Sequence, residues 1–328
     1  MVPTADTGHL SGWCEPAGVE ADEIDPQAAA AIEWRDRIPL PHSRRGVRLF
    51  RLFQRATTWL QNRDLPSVGQ VVDRTVPGPE GSVDARLYLP DGEGPFPTVV
   101  YFHGGGFVFG SVATHEWLCR HLANESGCGV LSVDYRLAPE HPFPAAVEDA
   151  AAAVRWAADE PEAVVGDGSL AVAGDSAGGA LAAVTALMAA ERGGPTLDYQ
   201  LLVYPGVGVD REQQSVEDHA GTVLSEADLA FFRDCYFGSE IHRRNPYADP
   251  TNAADCSGVP PATVVTAGFD PLRDGGQAYA DKLAADGVDT RFLNYEAMVH
   301  GFVTLRGVDR AREAIADVGG DLADALDA

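Results

Sequence analysis

The stretch from Ser169 to Ala180, SLAVAGDSAGGA, restricts the fold of this chain more than any other. A short apolar run, Leu170 to Ala173, passes directly into Gly174-Asp175-Ser176-Ala177-Gly178-Gly179, and helix-forming composition continues from Ala180 to Arg192. That order reads as strand, tight turn and helix, with Ser176 at the turn. Gly174 and Gly178 flank the serine at the spacing of a nucleophile elbow, where small neighbours let strand and helix approach closely and leave the hydroxyl projecting from the strand end. A G-x-S-x-G recurs by chance in a chain with 35 glycines and is then only a helix entry, so the remaining sequence has to decide.

The pattern around this turn is an alternation of short strands and helices. Gln70–Val76 and Val83–Leu89, separated by the turn residues 77–81, read as an antiparallel pair. Pro97–Phe102, Gly129–Val133, Gln200–Tyr204, Ala262–Ala267 and Thr290–Tyr295 read as further strands, interleaved with helices over Thr114–Ser126, Pro144–Glu160, Leu272–Asp286 and Gly307–Leu326. The fold class that follows is α/β, a mostly parallel sheet with helices on both faces. Two helices precede the first strand: Gln27–Arg37, with Asp25 as cap and Pro26 at its first position, and Arg44–Leu60, an apolar stripe with arginines opposite. Between Tyr204 and Ala262 no strand is expected, but Ser225 caps a helix running through Phe231, Phe232 and Tyr236. An apolar insertion at that point sits over the crevice where open α/β sheets bind ligands. The organisation expected is an unstructured arm over 1–20, a helical cap from 21–65 and 205–247, and a core from 66–204 and 248–328.

A serine hydroxyl is a poor nucleophile at neutral pH and needs a base, usually a histidine oriented by a carboxylate. In elbow enzymes the acid and then the histidine follow the serine, each at the end of a later strand. Asp270 closes the strand segment ATVVTAGFD, and His300 follows TRFLNY in Met298-Val299-His300-Gly301-Phe302. Singly these residues say little: Asp270 equally suits the cap of the helix after it, and Asp274 is a rival acid expected inside that helix's first turn. Order and strand-end placement together select Ser176, Asp270 and His300. After the strand PTVVYF comes His103-Gly104-Gly105-Gly106-Phe107, where glycines let backbone N–H groups face a cavity with no Cβ in the way. Gly105 and Gly106 are candidate oxyanion donors, with the Ala177 N–H as a third; one such donor is worth about 3 kcal/mol in acyl transfer. His103, Gly104, Gly174 and Gly178 are then structural. A phosphate loop is poorly supported, because no Gly-Lys-Ser/Thr follows and no lysine is available there.

Five motifs in order, HGGG at 103–106, DYRLAPE at 134–140, GDSAGG at 174–179, DPLRD at 270–274 and HGF at 300–302, resemble the hormone-sensitive-lipase-like esterases of the α/β-hydrolase superfamily. The resemblance runs from about Gln70 to the C-terminus. It implies hydrolysis of small carboxylic esters with short to medium acyl chains, no metal or organic cofactor, Ser176, Asp270 and His300 as the triad, and Gly105, Gly106 and Ala177 as the oxyanion hole. It also implies that Arg136 and Glu140 tie loops near the site. Phe107 departs from the tryptophan that many such esterases carry. Some members of that family are hormone receptors that have lost the base, and the same triad also serves lactonases and amidases. The intact trio points to an enzyme.

Composition narrows the setting. Cys14, Cys119, Cys128, Cys235 and Cys256 are scattered and form no C-x-x-C pair, so neither a disulfide framework nor a zinc site is indicated. No apolar run approaches the roughly 18 residues of a membrane span, and the first residues lack a secretory h-region, so a cytoplasmic location is expected. A homodimer stays open. The net charge of −25 disfavours nucleic acid as a partner. Lys282 is the only lysine, and an acidic, lysine-poor surface suits a halophile's cytoplasm, where salt screens self-repulsion. Thermal unfolding in about 2 M KCl should accordingly occur at a higher temperature than in dilute buffer; the opposite order would refute a halophilic origin.

Overall fold

The structure, a computed structural model, describes residues 21–33, 39–208 and 213–328. The arm over 1–20 and the continuation of the first helix past Glu33 lie outside the described residues.

Eight strands form one sheet: β1 (Gln70–Gly78), β2 (Gly81–Leu89), β3 (Phe96–Phe102), β4 (Gly129–Val133), β5 (Gly166–Asp175), β6 (Tyr199–Val203), β7 (Ala262–Phe269) and β8 (Thr290–Val299). Their spatial order is β1-β2-β4-β3-β5-β6-β7-β8. β2 runs antiparallel to both β1 and β4, and every pair from β4 to β8 is parallel, which is the mixed sheet expected. The central strands are apolar on both faces because both are covered. Val100 and Phe102 of β3 point into one layer, and Val99 and Tyr101 into the other. β5 starts at Gly166 rather than Leu170, and β8 continues through Val299.

Ten helices, as described, dress this sheet. On one face lie α4 (Ala145–Asp159), α5 (Ala177–Arg192) and α9 (Arg273–Ala285); on the other lie α3 (Val112–Ser126) and α10 (Asp309–Leu326), joined by α1 (Pro26–Glu33). α1 is capped by Asp25, whose carboxylate accepts the Gln27 and Ala28 N–H groups, and Asp25 itself donates its N–H to Ala297 O. α2 (Arg44–Gln61), α6 (Gln214–His219), α7 (Glu226–Tyr236) and α8 (Glu240–Arg243) complete the set. Ser225 caps α7 in a reciprocal box with Asp228. Val47 and Phe50 of α2 meet Phe231 and Phe232 of α7 in a separate apolar cluster with Val108, Phe109 and Ala138. His42 and Asp228 join the starts of the two helices at 2.7 Å.

At the centre, β3, β5 and α5 approach so closely that side chains are excluded. A Cβ on Gly178 would overlap the Phe102 carbonyl oxygen, and one on Gly174 would overlap the Gly178 carbonyl. Backbone cannot retreat as a flexible side chain can, so Gly178→Ala should destabilise the protein by about 3 kcal/mol in urea unfolding. Gly320→Ala, on α10 with open space around it, should be neutral or stabilise by up to about 1 kcal/mol. Equal stability of the two variants would show that the crossing tolerates a methyl group.

Candidate active site

Ser176 stands between the end of β5 and the first residue of α5 with φ 54° and ψ −118°. An L-residue in such a conformation costs about 1–3 kcal/mol, so its surroundings must hold it there. They do so through the backbone: Ser176 N donates to Val203 O at 2.9 Å, and Ser176 O accepts from Gly206 N at 2.9 Å and Ala180 N at 3.1 Å. The neighbouring strand β6 and its following loop therefore pin the turn, and the side chain is left at the carboxyl edge of the sheet.

The two other candidates reach the same point from the ends of β7 and β8. His300 Nδ1 lies 2.7 Å from Asp270 Oδ2, and His300 Nε2 lies 2.9 Å from Ser176 Oγ. A carboxylate only accepts, so the proton sits on Nδ1 and Nε2 is the acceptor for the serine hydroxyl. Asp270 is wholly buried, and its second oxygen accepts the Leu272 N–H at 2.8 Å. The helix-capping role and the histidine-orienting role, alternatives in the sequence, are thus performed by two oxygens of one carboxylate. Asp274 is engaged elsewhere, accepting from Ser215 N at 2.8 Å and Arg273 Nε at 3.1 Å. The Tyr204 ring, just past β6, packs edge-on against His300 at 4.9 Å and braces it from below.

Residues 103–106 follow β3, the neighbour of β5, and so arrive beside Ser176. Gly105 and Gly106 have φ of 126° and 62°, values that favour glycine. Among the described residues the Gly105, Gly106 and Ala177 N–H groups have no internal hydrogen-bond partner. Asp175, the residue before the serine, is the part of this site that motif reading passed over. Its buried carboxylate accepts from Tyr101 Oη at 2.6 Å and Gly104 N at 2.9 Å, and His115 Nε2 stands 3.2 Å away. Burial pushes this carboxyl up, but His115, the Tyr101 hydroxyl and the Gly104 N–H outweigh it and hold it below the usual range. The glycine loop is therefore tied to the residue adjoining Ser176. The only trace of this in sequence is an aspartate inside an otherwise apolar strand and turn, with no indication of its partners.

His103 is fully buried, donates from Nδ1 to Gly104 O at 2.9 Å and stacks on Tyr135 at 4.4 Å. Burial, reinforced by His115, pushes it down to about 3, so it is neutral at physiological pH. Above the loop, a Cβ on Gly106 would enter the Phe232 ring of α7, and Phe107 stacks on Tyr236 at 3.7 Å. Glu140 receives Arg51 Nη1 of α2 at 3.0 Å, while Arg51 also donates to Val108 O and Ala138 O. Arg136 is held by Asp149 of α4 at 2.9 Å. Both arginine-carboxylate ties brace the loops beside the glycine turn. Among the described residues no group of three or more His, Cys, Asp or Glu side chains forms a metal-binding cluster.

A family model described as the alpha/beta hydrolase fold matches residues 99–304. Esterase LipI of Mycobacterium tuberculosis is 45% identical over 258 residues, which cover 75% of this chain and 80% of that protein. The arylesterase of Saccharolobus solfataricus is 36% identical over 239 residues, covering 72% and 78%. Among solved structures, the hyperthermophilic esterase from the archaeon Pyrobaculum calidifontis superposes with a TM-score of 0.87 at 41% identity, over 92% of this chain and 98% of that one.

The depressed His103 has a measurable consequence. The unfolded chain protonates this ring below about pH 6.5, whereas the folded protein resists until about pH 3. Its contribution is therefore complete above pH 6.5 and falls as pH drops towards 3, by up to about 1.4 kcal/mol per pH unit. Urea unfolding at pH 7, 5.5 and 4.5 should show this decline, and His103→Asn should lessen its slope by about one proton. An unchanged slope in the variant would contradict a neutral buried His103.

Proposed function

Because this chain belongs to the hormone-sensitive-lipase-like carboxylesterases of the α/β-hydrolase superfamily, and is a carboxylic-ester hydrolase, we propose that Ser176, His300 and Asp270 are its catalytic triad and that Gly105, Gly106 and Ala177 supply the oxyanion hole. The observation that carries this assignment is the unbroken chain of hydrogen bonds from Asp270 through His300 to Ser176. His300 takes the Ser176 proton as the hydroxyl attacks the ester carbonyl, and Asp270 stabilises the imidazolium that forms. The oxygen of the tetrahedral intermediate becomes negative beside N–H donors that have no internal bond to give up, so little reorganisation is needed. His300 then hands the proton to the departing alcohol, leaving an acyl-serine. Water, activated by the same base, releases the acid. No cofactor has a step in this sequence.

Short to medium acyl chains are the proposed substrates, as the family resemblance implies, and the Phe232 ring lying against Gly106 is in keeping with a small ester. Residues 21–65 and 205–247 form the cap in this account, α2 and α7 roofing the site while α1 fastens the segment to the core of 66–204 and 248–328. The acidic surface suits a halophilic cytoplasm.

Ser176→Ala should lower hydrolysis of p-nitrophenyl butyrate by at least about 10³-fold with the fold retained. An alkyl p-nitrophenyl phosphonate should label the native protein once and leave this variant unlabelled. Turnover should fall as the acyl chain of the ester lengthens beyond about ten carbons. Undiminished activity in Ser176→Ala would remove the serine from the mechanism.

A further inference from the structure

α2 is amphipathic in the inverted sense. The face it turns to the protein carries Val47, Thr58 and Arg51, the last donating to the Val108 and Ala138 carbonyls. The face turned to solvent carries Leu49, Leu52, Phe53, Trp59 and Leu60, which are 68%, 58%, 47%, 66% and 54% exposed. Leu49, Leu52 and Phe53, then Trp59 and Leu60 seven residues further on with exposed Ala56 between them, lie on one side of about three turns of helix. Of the seven large apolar side chains exposed on the described surface, these five share one helix; only Val71 and Ile241 lie elsewhere. Single exposed leucines need no explanation, but a contiguous apolar stripe does.

The charge of the segment is equally out of character. Between positions 44 and 63 stand Arg44, Arg45, Arg48, Arg51, Arg55 and Arg63 with no aspartate or glutamate, in a chain whose net charge is −25. Arg51 is turned inward to Glu140, and Arg63 lies over the Trp59 ring at 4.6 Å. Arg44, Arg45 and Arg55 are exposed; at about 100° per residue Arg44 and Arg55 lie along one edge of the stripe and Arg45 in line with it, one turn before Leu49. An apolar face with tryptophan, bordered by arginines, is the composition of a helix that lies in the headgroup region of a bilayer.

We propose that the outer face of α2 docks this esterase on an anionic lipid surface. The stripe enters the boundary between headgroups and acyl chains, and the flanking arginines meet lipid phosphates. The acidic remainder of the molecule selects this orientation, since any other face presents like charge to the lipid. Salt screens the repulsion and the arginine–phosphate attraction alike while the apolar contact persists, so the preference for anionic lipid is read at the lowest salt concentration that maintains the fold. α2 also covers the glycine loop from its inner side, Phe50 meeting Phe109 at 5.0 Å, so docking brings the esterase site next to the lipid.

The test is flotation of the whole protein with vesicles of phosphatidylcholine alone or with about 30% phosphatidylglycerol, in a salt concentration that maintains its fold. The native protein should float with the anionic vesicles at least fivefold more than with the neutral ones. Leu49→Ser/Leu52→Ser/Trp59→Ser should lower the bound fraction at least tenfold while hydrolysing p-nitrophenyl acetate at the native rate, which separates loss of docking from loss of the active site. Arg44→Gln/Arg45→Gln should bring anionic binding down towards the neutral level. The proposal is overturned if the native protein floats with neither vesicle, if the serine variant floats as well as the native protein, or if that variant instead turns a dimer into a monomer with no flotation at all.

Discussion

Everything near the active site depends on how closely three backbones cross. β3, β5 and α5 meet at Gly174 and Gly178 with no room for a Cβ on either residue. That contact sets the angle at which the chain leaves the strand and enters the helix, and so forces Ser176 into its positive φ. The strain is held by three backbone hydrogen bonds rather than by the serine side chain, which leaves the hydroxyl available to His300. A rigid sheet edge thus presents the Ser176 hydroxyl, while β7 and β8, also parallel and next to each other, deliver Asp270 and His300 from the same edge.

A second layer of control lies underneath. Asp175, Tyr101, His115 and His103 form a buried polar group beneath the glycine loop. Asp175, Tyr101 and His115 are joined to one another inside the protein, where low dielectric stiffens such bonds, while His103 adds one bond from Nδ1 and its Nε2 has no hydrogen-bond partner among the described residues. The carboxylate of Asp175 joins Gly104 to the residue next to Ser176. The proposed oxyanion donors and the proposed nucleophile are therefore set by one network, as electrostatic preorganisation requires. His103 contributes shape and a bond to a carbonyl, and its neutrality follows from its burial, reinforced by His115.

Over this site α2 and α7 lie together, linked by His42 and Asp228 and by a small aromatic cluster. α2 has two jobs that pull its sequence in opposite directions: its inner face accommodates an arginine bonded to loop carbonyls, and its outer face is apolar. In a chain so acidic, a helix with only positive charge stands out as a surface of its own.

Much of this was legible in one dimension. Alternating apolar runs and helical segments determine an α/β sheet because each strand needs cover on both faces, and five ordered motifs place Ser176, Asp270, His300 and the glycine turn at strand ends. β5 begins four residues before its apolar run and β8 ends four residues after Tyr295, because β3 and β7 pair with them again across an irregularity, at Gly166 and at Val299, and such a bulge leaves no mark in the side-chain pattern. The sequence could also not show that Asp270 serves a helix and a histidine at once, that Asp175 anchors the glycine loop, or that the apolar stripe of α2 faces outward. Periodicity states that a helix has an apolar side; only packing decides which side is buried. Hydrogen bonds between residues 71 or 124 positions apart exist because the sheet order brings β3, β5 and β8 to one edge, and that order is a property of the folded chain alone.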